Sequence, residues 1–163
     1  INLALNMYDS VIGGNDDYYY VKPTDMSNLP NYYREIDLQT TIDRHRGGWK
    51  QYQNTRNYLL EKGKSLKMFD GHCPITYNRT AFQKVNEADW TKEYGYGIKS
   101  LYGNLNDLEG LLLHDTKIME GLPPQIVTNT IDSSFIVSSS TRMNKHLLKY
   151  LEKEFPHKSK WEK

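Results

Sequence analysis

Asn15-Asp16-Asp17 sets two carboxylates side by side, after Gly13-Gly14 and before Tyr18-Tyr19-Tyr20-Val21. Adjacent carboxylates repel unless something neutralises them. A hard divalent cation, Mg²⁺ or Mn²⁺, does so through oxygen ligands, and can then meet the oxygens of an approaching diphosphate. Asp16 and Asp17 are therefore the candidate metal ligands, with Asp17 also a candidate catalytic group and Asn15 a candidate substrate contact. Gly-Gly-Asn-Asp is equally good turn chemistry, and on these residues alone a plain turn is the stronger reading.

His72 lies in Asp70-Gly71-His72-Cys73-Pro74, and histidine, as a residue type, suits a base, an acid or a ligand at neutral pH. A loop histidine with no duty is the plainer alternative. Cys73 is the only cysteine, so no internal disulfide exists, and a small buried residue is its commoner role. Phosphates require cations. Arg44, Arg46 and Lys99 are the candidates, Arg offering a bidentate fork and Lys a point charge. The run from Arg44 to Arg46 reads equally as a solvated face. Asn54 and Tyr19 complete the set of candidate substrate contacts. There is no GxGxxG, Walker-type loop, paired CxxC or HExxH, which removes the cofactor-dehydrogenase, P-loop and zinc-finger readings.

These residues need elements to hold them. Residues 1–8 have the apolar spacing of a short helix. Val11-Ile12 and Tyr18 to Val21 read as strand pieces on either side of the aspartates, the second stopped by Pro23. Residues 26–48 are irregular. A helix is expected from Trp49 to Lys62, ended by Gly63. A short strand at Leu66 to Phe69 would deliver His72, and Asn78 would cap a helix through Val85. A further helix is expected from Asp89 through Tyr94, resuming at Ile98. Ser134 to Ser138 reads as a buried strand. Thr141 to Phe155 is a helix with Met143, Leu147, Leu148, Leu151 and Phe155 on one stripe. The fold class is α/β, in one domain spanning residues 1–163.

Composition agrees with a globular chain. It has 163 residues, 37% hydrophobic and 25% charged, with a formal net charge of +1. Duplex nucleic acid as the main partner would call for a basic excess. The balance leaves a nucleic-acid acceptor open without supporting it. Thirteen tyrosines favour half-wet clefts and sugar-binding surfaces. Neither a signal peptide nor a membrane-spanning stretch is legible, so a cytoplasmic setting is expected.

Asn15-Asp16-Asp17-Tyr18-Tyr19, with Lys22-Pro23 after it, resembles a signature of Stealth-type sugar-phosphate transferases and GT-A-like glycosyltransferases. His72-Cys73-Pro74 with Phe82 resembles their His-x-Pro…Phe block, and Lys99-Ser100-Leu101-Tyr102 a basic block usually opened by Arg. Phe135 to Ser138 and the helix running to Phe155-Pro156, then Ser159 and Trp161-Glu162, resembles their terminal block. The resemblance implies a GT-A-like mixed sheet with flanking helices. It also implies a nucleotide-binding half before the aspartates, most of which this sequence does not contain, so a fragment or a reduced relative is expected. It implies Mg²⁺ or Mn²⁺ on Asp16 and Asp17, a nucleotide-sugar donor, and a saccharide or polymer acceptor, as in polysaccharide biosynthesis. His72 would act as base and Lys99 would balance phosphate charge. The competing expectations are a non-catalytic carbohydrate-binding module using Tyr18 to Tyr20, Tyr32-Tyr33 and Trp49, and a glycosyltransferase acting on nucleic acid.

Overall fold

The computed structural model describes residues 1–15, 17–25, 27, 29–45, 49–112 and 116–157. In chain order the elements are α1 (Asn2–Met7), β1 (Ser10–Gly13), β2 (Tyr18–Tyr20), β3 (Tyr32–Tyr33), α2 (Leu38–Arg44), α3 (Lys50–Glu61) and β4 (Ile75–Asn78). They continue with α4 (Arg79–Asn86), α5 (Ile98–Leu105), β5 (Leu111–Leu112), β6 (Lys117–Ile118), α6 (Pro124–Ser133), β7 (Ile136–Ser139) and α7 (Lys145–Glu154). The class is mixed α/β, with helices beside small sheets. Two compact units form, one from Ile1–Asn15 and Asp25–His114, the other from Asp16–Thr24 and Asp115–Lys163. No helix among the described residues is long and apolar enough to cross a membrane.

In the first unit β1 pairs antiparallel with β4, Val11 opposite Tyr77, and β3 pairs parallel with β5. Leu38 and Ile42 of α2, Leu59 of α3, Phe82 and Val85 of α4, and Leu101 and Leu105 of α5 share its core. Helix α3 forms as its spacing predicts. Gly63 follows it at φ +64, the left-handed conformation a glycine reaches without a Cβ penalty. Asn78 caps α4, its side-chain oxygen accepting from the Thr80 and Ala81 amides. Helix α2 lies in a stretch that read as irregular. One signal for it was Asp37, whose carboxylate accepts from Thr40 N at 2.7 Å. The other was the four-residue spacing of Leu38 and Ile42.

Two expected elements do not form among the described residues of this unit. Leu66 to Phe69 makes only an isolated bridge, Arg34 to Met68, instead of a strand. The reason is a side chain. Asn104 accepts from Lys67 N at 2.9 Å and donates to Lys67 O at 2.8 Å, in place of a neighbouring strand. The strand forms later, at Ile75–Asn78, and runs straight into α4. Between Asp89 and Tyr94 there are turns, because Tyr94 and Gly95 take φ of 68 and 58, outside helical space.

In the second unit the sheet order is β2-β7-β6, with β2 antiparallel and β6 parallel to β7. Ile118, Val127, Ile131, Val137 and Leu147 form its core. Helix α6 was not anticipated; Pro124 in its first turn and Val127 four residues before Ile131 were the available signals. Helix α7 is shorter than expected, starting at Lys145 because Asn144 caps it. The side-chain carbonyl of the buried Asn144 accepts from His146 N at 2.8 Å. Its amide donates to the Met119, Glu120 and Leu122 carbonyls, tying the preceding loop to the helix start. The stripe read from the sequence is only partly inward: Leu147 is fully buried, whereas Leu148 and Phe155 are 45% and 61% exposed.

Candidate functional site

Asp17 sits in a turn immediately before β2, in the second unit, and its carbonyl accepts from Ser139 N at 3.1 Å. That bond continues the β2–β7 ladder by one residue and fixes the aspartate's backbone. Its Oδ1 is buried and has no hydrogen-bond partner among the described residues. Ser138, paired with Tyr18 on β7, carries a second such oxygen, Oγ. A buried polar oxygen without a donor costs on the order of 1–3 kcal/mol, more for a charged group, so such atoms mark places where another partner fits. Sequence reading saw Ser134 to Ser138 only as a buried strand. The hydroxyl of Ser138, directly after the apolar Phe135-Ile136-Val137 run, was the signal it passed over.

The first unit positions the other candidate block. Asp70 lies before the His72 loop, and its Oδ2 accepts from Ser100 N, in the first turn of α5, at 3.2 Å. Ser100 Oγ in turn accepts from Phe69 N at 2.9 Å. Gly97 lets these parts close up: a Cβ there would stand 2.7 Å from the Tyr52 ring and 2.9 Å from Asp70 Oδ2. Burial pushes the Asp70 carboxyl upward against the opposing pull of Ser100 and Lys99. Lys99 Nζ donates to Cys73 O at 2.8 Å and to Gly71 O at 3.3 Å, the two carbonyls that bracket His72. So Lys99, read from sequence as a phosphate contact, braces the loop that holds the half-buried His72. Asp70 is a residue of this candidate loop that sequence reading did not single out.

Cys73 is buried, and burial pushes its thiol up to about 11, with Lys99 opposing and Asp70 adding. It is therefore a packed thiol at neutral pH rather than a nucleophile. The sign for stability follows from a pKa raised on folding, from 9.0 to about 11. Below pH 9 the thiol is protonated in both states; as pH climbs from about 9 to about 11, only the unfolded chain gives up its proton. This group therefore contributes about 2–3 kcal/mol that is lost across that window. Urea midpoints measured between about pH 8 and about pH 11 are expected to fall in the native protein, with a smaller fall in Cys73→Ala. Parallel curves would contradict the assignment.

The remaining candidates are scattered. Asn54 donates its amide to Glu93 O at 2.9 Å and Gly95 O at 3.0 Å, pinning the turns after α4 to α3. Arg44 is exposed at the end of α2, and Asn15 is exposed in the first unit. Tyr19 is half-buried and packs on the second core. Asp16 and Arg46 lie outside the described residues, as do Ser159, Trp161 and Glu162 of the terminal block. No cluster of three or more histidine, cysteine, aspartate or glutamate side chains able to hold a metal occurs among the described residues.

No protein-family model, curated protein or solved structure matches the chain.

Proposed function

We propose that this chain belongs to a divalent-metal-dependent transferase that moves a sugar-1-phosphate from a nucleotide-sugar to a hydroxyl of a saccharide or polymer acceptor. The observation that carries the reading is the buried, donorless Oδ1 of Asp17, at the head of β2 in a motif that resembles the Stealth-type signature. A buried carboxylate oxygen is costly unless a cation meets it, so this atom fits Mg²⁺ or Mn²⁺. Asp17 would hold the ion, with Asp16 as its sequence neighbour. When bound, the ion neutralises diphosphate oxygens and the charge that develops on the departing nucleotide. The reading carries with it a GT-A-like sheet and a cytoplasmic setting.

In the chemistry proposed, the acceptor oxygen forms a bond to the sugar-bearing phosphorus and the anhydride P–O bond breaks. The nucleoside monophosphate leaves with the electron pair, and the hydroxyl proton passes to solvent water. Transfer of the sugar itself would place attack at the anomeric carbon and release the diphosphate instead.

The test is incubation with UDP- and GDP-sugars, Mn²⁺ and a saccharide acceptor, read by phosphorus NMR. A new phosphodiester signal with nucleoside monophosphate is expected. Nucleoside diphosphate without a diester would replace sugar-phosphate transfer by glycosyl transfer. Absence of metal-dependent turnover would favour the second reading, a carbohydrate-binding module, which the 39% exposed Tyr20 supports.

A further inference from the structure

Beside β2 in the second unit runs a groove of about 770 Å³, with β2 and the segment after it to Thr24 on one side and the end of α7 on the other. Its volume lies in the range of small-molecule sites, about 300–1,000 Å³. Tyr18, Tyr20, Tyr150 and Phe155 give it an aromatic lining. Phe155 is 61% exposed although it closes the α7 stripe. An aromatic surface that the unit's own core leaves uncovered marks a binding face.

The lining also says what kind of ligand fits. Lys22 borders the groove, yet its ammonium donates to Asp132 O at 2.7 Å and lies 5.5 Å over the Phe135 ring. That cation already serves the unit's own packing. Glu154 is the charged group on the α7 side. A polyanion would meet that carboxylate, which the exposed Lys153 offsets only loosely at 3.7 Å. A peptide adding to β2 would find an edge of only three residues, with Pro23 shortly beyond, and such edges resist strand addition. Flat aromatic faces with phenol hydroxyls at their rims suit a ligand that is apolar on one face and hydroxylated around it.

We propose that the groove between β2 and α7 binds a neutral saccharide, the acceptor of the transfer proposed above, on which this assignment rests. The tyrosine and phenylalanine rings stack on pyranose faces, and Glu154 accepts from sugar hydroxyls. Asp17, one residue before β2, belongs to the donor side and is not needed for saccharide binding.

The experiment is affinity electrophoresis of the native chain in gels containing dextran, galactomannan, hydroxyethyl cellulose or, as a polyanion, polygalacturonate. Retardation is expected with at least one neutral polysaccharide and not with polygalacturonate. Tyr20→Ala and Phe155→Ala should each weaken it about tenfold, Tyr20→Trp should retain it, and Asp17→Asn should leave it unchanged. The Tyr20 and Phe155 side chains are exposed, and circular dichroism checks that the fold is kept. No retardation in the three neutral gels, preference for polygalacturonate, or retardation indifferent to both alanine variants would each overturn the proposal. So would a concentration-dependent dimer that Phe155→Ala dissociates, which would give the groove to a second copy. Metal-dependent hydrolysis of the nucleotide-sugar by water separates the two readings. Hydrolysis without retardation overturns the groove and leaves the transferase standing; retardation without hydrolysis overturns the transferase and, with it, the acceptor role of the groove, leaving saccharide binding alone.

Discussion

Asp17→Asn is expected to abolish Mn²⁺-dependent binding of UDP in a calorimetric titration, and to lower any nucleotide-sugar turnover by at least about a hundredfold. The substitution keeps the shape of the side chain and removes its charge. Because Oδ1 is buried without a donor among the described residues, neutralising it should not destabilise the fold and should relieve a desolvated charge. Melting temperature is therefore expected to hold or rise while metal binding is lost. That opposition separates a ligand from a structural turn residue, which would lose stability and leave binding alone. A variant that still binds Mn²⁺ and UDP like the native chain would sink the metal assignment. Asp16→Asn, alone and combined with Asp17→Asn, extends the series, and non-additive losses are expected if both carboxylates serve one ion.

Phe82→Ala is expected to cost about 3–5 kcal/mol of unfolding free energy. Phe82 is 3% exposed on α4, and its ring stands perpendicular to Tyr77 at 5.3 Å and tilted against Tyr102 at 5.9 Å. Tyr102 stands in turn at 4.9 Å from Tyr77, so the three rings form one cluster. Tyr102 also accepts from Asn78 N through its hydroxyl at 3.0 Å, linking the cluster to the cap of α4. Emptying the Phe82 position leaves the Tyr77–Tyr102 pair without its third wall. Against a typical total of about 5–15 kcal/mol, the loss would put the first unit near its limit. Urea unfolding followed by tyrosine fluorescence measures it. Leu60 on α3, 57% exposed, supplies the control. Leu60→Ala should change the unfolding free energy by less than about 0.5 kcal/mol, as surface substitutions do.

Elements whose determinants are local were legible along the chain. The cap at Asn78, the glycine after α3 and the aromatic run of β2 stopped by Pro23 sit within a few residues of what they control. The failures share a different cause. Leu66 to Phe69 has strand composition, but the Lys67 backbone is satisfied by Asn104 and the Phe69 amide by Ser100, both far along the chain. The start of α7 depends on Asn144 gathering three carbonyls of the 119–122 loop, which no helical periodicity records. At the site, residue types marked Asp17 and His72 as candidates. What they could not convey is burial: that Asp17 Oδ1 lacks a donor among the described residues, and that Lys99 directs its charge to the carbonyls around His72. Side-chain partners of that kind are set by tertiary packing.

The pairing of Tyr18 with Ser138 sets an order of events when the chain is made. Strand β2 leaves the ribosome well before β7, the strand that completes its ladder. Until β7 follows, a run of three tyrosines lacks its neighbouring strand, and Tyr19 lacks the second core it packs on. The first unit's strands β1 and β4 meet much sooner, and its helices pack locally, so it can fold while β2 waits. The closure cost of so long a loop grows only logarithmically with length, so the wait is a matter of timing more than of final stability. A nascent chain arrested before β7 would carry those tyrosines uncovered, which makes that interval the one in which a chaperone has most to offer.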